Sequence, residues 1–158
     1  MKILTVGDVF SRVGRDTVYR ELERRRSDVD MVIANGENAA HGNGLSKSCF
    51  DELISAGVDV ITLGNHAWGC GEIVKIMEYN ENVIRPLNYE GNCPGRGSCI
   101  FKTQAGITVG VINLIGRTFL APAASPFEMA VKETEKIGKM AKVIIVDFHA
   151  EATSEKQA

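Results

Sequence analysis

VDMVIANGEN (residues 29–38) and VDVITLGNH (residues 58–66) decide the fold. Each is a short, nearly continuous apolar run that breaks at a glycine and then offers polar side chains. Runs of this length and composition are expected for strands covered on both faces. Ile3–Val6 ahead of Gly7-Asp8, and Val143–Phe148 ahead of His149, repeat the pattern. Val143–Phe148 is apolar enough for a central strand.

Helical segments lie between these runs. Arg15–Arg26 is polar and helix-favouring, and its thin stripe of Val18 and Leu22 predicts an outer helix. Ser46 is a good N-cap for a helix that pairs Cys49 with Leu53 and Phe50 with Ile54, then stops at Gly57. A third runs from about Glu72 to Tyr79, with Ile73, Ile76 and Met77 on one face. A fourth starts at Ser125, with Pro126 at N1 and Glu128 completing a capping box. Phe127, Ala130, Val131 and Thr134 are predicted on its buried side. Ser98–Thr103 and Ile107–Leu114, joined by Gln104-Ala105-Gly106, read as an antiparallel hairpin. The order implies one α/β domain, residues 1–158, with a mixed sheet. Thr153–Glu155 open a further helix just before the last residue. The domain therefore reads as truncated at its C-terminus.

Composition narrows the function classes. The net charge of −2 provides no basic field for nucleic acid. The basic run Arg24-Arg25-Arg26 suits the C-terminal end of a helix dipole. Nothing approaches the roughly 20 apolar residues of a membrane span, and no secretory leader is evident. Four cysteines without C-x-x-C spacing fit free thiols, with Cys49 in a helix and the rest in glycine-rich turns. A cytoplasmic protein is expected.

The polar residues after the strands carry the chemistry. Asp8, Glu37, Asn38, Asn65, His66 and His149 stand at four strand-to-loop junctions, all at carboxyl ends, where α/β sheets collect ligands. Singly, Asp8, Asn38 and Asn65 are ordinary turn formers, and a lone His149 is most simply structural. Glu37 is harder to explain, because turns favour Asp or Asn. Jointly these residues point to metal. Carboxylate, amide and imidazole donors without a positioned thiolate suit Mn, Fe or Zn. A carboxylate can bridge two ions roughly 3.5–4 Å apart, a spacing that clamps a phosphoryl group. His66, beside a ligand but offset from it, is placed to protonate a leaving oxygen.

Gly7-Asp8, Gly36-Glu37-Asn38, Gly64-Asn65-His66 and His149 resemble the calcineurin-like metallophosphoesterases. NGENAA (residues 35–40), SAGVDVITLGNHAW (55–68), RPLNY (85–89), PGRG (94–97), NLIGR (113–117) and DFHAEATSEK (147–156) resemble the bacterial YmdB-type branch. The resemblance implies a sandwich of two sheets flanked by helices. It implies Asp8 and Asn38 at a first metal, Glu37 bridging, Asn65 and His149 at a second, and His66 as catalytic proton donor. It implies two iron or manganese ions and hydrolysis of cyclic nucleotide phosphodiesters, notably 2′,3′-cyclic AMP. Ala67, Gly69 and Cys70 depart from the larger or more polar residues of relatives. Family members also continue into a Gly-His-x-His element supplying two further ligands. Here the remaining histidine, His41, lies in a glycine-rich loop and reads as a surface residue. Two other readings stay open: a non-catalytic chain acting by binding or self-association at an exposed sheet edge, and a phosphomonoesterase or nucleotidase.

Overall fold

The computed structural model describes residues 1–158. The first sheet is wholly parallel, with strands β1 (Ile3–Asp8), β2 (Met31–Asn35), β3 (Val60–Thr62) and β4 (Val83–Ile84) in the order β1-β2-β3-β4. Three crossovers carry α1 (Ser11–Arg25), α2 (Lys47–Ala56) and α3 (Ile73–Tyr79). The second sheet has the order β5-β6-β7. In it β5 (Ser98–Lys102) runs antiparallel to β6 (Thr108–Ile115), and β6 runs parallel to β7 (Val143–His149). Helix α4 (Pro126–Ile137) links β6 to β7, and α5 (Thr153–Gln157) follows.

Strand alternation builds the layers. On β2, Val32 and Ala34 join a core with Val18 and Leu22 of α1, Leu53 of α2 and Met77 of α3. Their neighbours Met31 and Ile33 face the other way and pack with Val109 and Val111 of β6. On β6 in turn, Ile112 and Leu114 pack against Ile137 of α4. Period-two alternation thus produces four layers: helices, sheet, sheet, helix. The mixed pairing expected from the sequence is confined to the second sheet.

Two buried amides join the sheets. Asn113 Nδ2 of β6 donates to the carbonyls of Leu63 and Ile84 across the sandwich. Asn88 Nδ2 donates to Ile115 O and Ala124 O while its Oδ1 accepts from Ile115 N. A buried polar group left without a partner costs about 1–3 kcal/mol. Asn88→Ala should therefore destabilise the chain by about 3 kcal/mol, since it strands three backbone groups at once. The check is the urea midpoint: an unchanged midpoint would mean that these bonds contribute nothing net.

Several expectations need correction. Val143–Phe148 forms β7, which is an edge strand in this chain, with Val146 45% exposed. Strand β1 is also an edge, and Thr5, Gly7 and Asp8 are exposed rather than covered. Helix α1 begins at Ser11, not Arg15, because Gly14 fits against the Val9 backbone and the helix runs through it. On α4 the buried stripe is Pro126, Glu133 and Ile137, whereas Phe127 and Val131 are 45% and 62% exposed and Thr134 is exposed too. Glu133 takes a core position because Ser98 Oγ donates to it at 2.6 Å and Lys136 at 3.0 Å. Cys99 lies within β5, not in a turn, and all four cysteines are free. The capping of α2 by Ser46 and its left-handed stop at Gly57 are as expected. No helix is long and apolar enough to cross a membrane.

Candidate metal centre at the strand ends

The carboxyl ends of β1, β2, β3 and β7 meet at one edge of the sandwich. At β1 the register with β2 shifts between Val6 and Asp8, leaving Gly7 as an extra residue. Such a bulge bends the strand end and re-aims the next side chain. Asp8 is exposed there. After β2 the chain turns through Asn35 and Gly36. Asn35 Oδ1 accepts from Glu37 N at 3.3 Å, and Asn35 Nδ2 donates back to Glu37 Oε1 at 3.2 Å. This Asx turn folds the glutamate onto its own loop.

Glu37 is the centre of the arrangement and is only 2% exposed. Oε2 accepts the backbone N–H of His66 at 3.0 Å, and Oε1 meets His149 Nδ1 at 2.8 Å. It therefore joins β2, the loop after β3, and β7 of the opposite sheet. A second chain of bonds runs alongside. Asn38 Nδ2 donates to Asp8 Oδ1 at 2.9 Å, and Asn38 Oδ1 pairs with His66 Nδ1 at 2.6 Å. Because the Asn38 amide spends its donor on Asp8, its oxygen faces His66, so His66 Nδ1 carries the proton and Nε2 is left free.

The electrostatics follow from these contacts. Burial pushes the Glu37 pKa up, but the bonds from the His149 ring, the His66 N–H and Asn35 outweigh it, and the carboxyl sits below its ordinary value. His149 moves the other way. Its bond to Glu37 raises its pKa against the opposing effect of burial, helped by the charges of Glu37, Glu151 and Asp147. Burial pushes the Cys99 thiol up to about 12 and raises Cys70 as well, so neither is a ready thiolate ligand.

Five of the six residues picked from the sequence share this hydrogen-bonded network: Asp8, Glu37, Asn38, His66 and His149. Asn65 stands beside it, exposed and outside the network. No three His, Cys, Asp or Glu side chains gather into one cluster, so any metal would also draw on the Asn amides. The residues nonetheless fit a metal. His149 Nε2 is buried without a partner, and so is Oδ2 of Asp147, two residues earlier on the same strand face. Oxygen and imidazole donors suit Mn, Fe or Zn. His41 is exposed, as expected of a surface residue.

Sequence reasoning missed several supports. Asn35 was not singled out, yet its side chain clamps Glu37. Gly64 gives clearance, since a Cβ there would run into the Glu37 carboxylate. Gly116 N donates to His149 O, and the two amides that follow, Arg117 and Thr118, donate to the Glu155 carboxylate at 2.8 and 3.1 Å. The DFHAEATSEK stretch held that signal, but its meaning needed the end of β6 beside it.

A two-sheet sandwich with donors at the carboxyl ends of its strands defines the metallophosphoesterase fold class. The chain belongs to the YmdB-like protein family, whose model matches residues 4–158. It is 42% identical over 160 residues to a protein of Bacillus subtilis named 2′,3′-cyclic-nucleotide 2′-phosphodiesterase, covering all of this chain and 60% of that protein. It is 34% identical to a putative phosphatase/phosphodiesterase of Mycoplasma genitalium, covering 58% of it. A crystal structure of a hypothetical protein from Thermus thermophilus superposes with a TM-score of 0.94 at 39% identity, over 99% of this chain and 61% of that one. A structure described as a novel phosphatase, from Mycoplasma pneumoniae, gives 0.89 at 33% identity, over 99% and 58%. The chain thus spans about 60% of the length of these relatives.

Proposed function

We propose that this chain works as a metal-dependent phosphodiesterase on cyclic nucleotides such as 2′,3′-cyclic AMP, with two iron or manganese ions. The observation that carries this reading is the Glu37 carboxylate, buried and charged, tied to His66 on one side and His149 of the opposite sheet on the other. The name of the Bacillus subtilis relative supports the substrate class. Asp8, Asn38, Asn65 and His149 would hold the metals and Glu37 would join them. Bound there, the metals would supply a Lewis acid for the phosphoryl oxygens and lower the pKa of a water.

The remaining work falls to the chain itself. Asn38 holds the His66 ring by Nδ1 and keeps Asp8 in line. His66 would act from Nε2: with Nδ1–H held by Asn38, the ring must carry a second proton on Nε2, and this proton passes to the leaving ribose oxygen as the P–O bond breaks, leaving the neutral Nδ1–H ring. The buried face of Glu37 excludes water from the side of the site that faces the core. Free cysteines fit a cytoplasmic setting. The unpaired edge of β7 is the place where a second copy would add.

The test is hydrolysis of 2′,3′-cyclic AMP by the metal-loaded protein, abolished by a chelator and by Asp8→Ala. Equal rates before and after Asp8→Ala would contradict the reading. The word phosphatase in the names of the Mycoplasma relatives supports a phosphomonoesterase as the second reading, beside phosphodiesterase in one of them. It predicts faster turnover of p-nitrophenyl phosphate than of the cyclic diester.

A further inference from the structure

Arg15 differs from its neighbours on α1. Arg12 and Arg25 are exposed and pair with carboxylates one turn away on the same helix. The Arg15 side chain is only 13% exposed and reaches off its helix. Its Nε meets Glu52 Oε2 of α2, and its Nη1 donates to the backbone carbonyl of Ala39, both at 2.5 Å. A guanidinium presents its donors in a rigid fork, so one side chain serves both partners. The pair with Glu52 ties α1 to α2. The second bond goes further, because it ends on the loop that carries Glu37 and Asn38.

Ala39 directly follows Asn38 and is fully buried. Its carbonyl has one other donor, the Cys49 thiol at 3.6 Å, and a thiol is a weak donor. The backbone around it is pinned as well. Asn38 O accepts from Ser11 N at 2.9 Å and from Gly42 N at 3.1 Å, and Ala39 N donates to Gly36 O at 3.1 Å. Placement here matters because the Asn38 amide must meet two partners at once, Asp8 through Nδ2 and His66 through Oδ1. A small rotation of the backbone breaks one of these bonds. Without Arg15 the buried Ala39 carbonyl keeps only the thiol, and an acceptor left so poorly paired favours a turn of the peptide toward another partner.

We propose that Arg15 is a positioning residue of the strand-end site. Held by Glu52, it fixes the Ala39 carbonyl, and through it the Asn38 amide that aligns Asp8 and the His66 ring. The inference rests on the phosphoesterase reading above. It assigns a helix residue outside the site the task of keeping the proton donor aimed.

Arg15→Met tests it in the metal-loaded protein, assayed on two diesters with the melting temperature measured alongside. Methionine keeps an unbranched stem and removes every donor. On 2′,3′-cyclic AMP kcat should fall about tenfold, the lower range for disturbing a group that orients a ligand. On bis(p-nitrophenyl) phosphate, whose leaving group departs without a proton, the loss should be much smaller. Arg15→Lys guards against a variant that fails to fold. It keeps the charge beside Glu52 but has one nitrogen in place of the fork, so it should melt like the unmodified protein and show the same selective loss. Equal losses on both diesters in both variants would overturn the inference, since Arg15 would then only support the fold. Unchanged kcat on 2′,3′-cyclic AMP in Arg15→Met would overturn it too, and would leave the phosphoesterase reading standing. If the unmodified protein cleaves neither diester, both fall together.

Discussion

Gly64→Ala should reduce metal affinity about 100-fold, the upper range for disturbing groups that orient a ligand. A Cβ at position 64 would lie 2.6 Å from Glu37 Cδ and closer still to its oxygens. The carboxylate has no free direction in which to retreat, because Asn35, the His66 N–H and His149 hold it. Either Glu37 leaves its position or the loop after β3 shifts, and both undo the centre. Overpacking of this kind should also destabilise the fold by about 1–3 kcal/mol. Gly7→Ala is the matched control: it too precedes a strand-end donor, but a Cβ there meets nothing within 4 Å. Manganese titration of the two variants checks the claim. Equal affinities would show that clearance beside Glu37 is not what requires glycine at position 64.

His66→Ala should lower kcat on 2′,3′-cyclic AMP by about 10²–10⁴-fold, the usual contribution of a positioned proton donor. Metal content should stay near that of the unmodified protein, because the His66 contact with Glu37 is made by its backbone N–H, which alanine keeps. The substrate separates this role from simple structural damage. With bis(p-nitrophenyl) phosphate the leaving group departs readily without a proton, so the loss should be far smaller. The same loss on both diesters would argue that His66 binds or orients the substrate instead of protonating it.

The strand ends were legible because four apolar runs each break at or just before a small set of polar residues, and that punctuation survives without any tertiary context. The α2 caps were legible for the same reason, since Ser46 and Gly57 act locally, whereas the confinement of mixed pairing to the second sheet was not. Helix α4 was misread because hydrophobicity favoured Phe127 and Val131, whereas the buried stripe passes through Glu133, whose burial depends on Ser98 from a strand 35 residues away. Strand β4 has only two residues, too few to show any period. Asn88 and Asn113 looked like unremarked polar positions, and only the second sheet reveals them as cross-links. At the site, residue types identified the donors, but the bond between Glu37 and His149 spans both sheets and could not be read from spacing.

The central claim is that Glu37 anchors a metal centre between the two sheets. Its most direct test is the metal content of the purified protein beside that of Glu37→Gln, which keeps the side-chain shape and removes the charge. The account predicts about two iron or manganese ions per chain in the unmodified protein and a clear loss in the variant. Equal metal content in both proteins, or none in either after growth with excess manganese and iron, would contradict it.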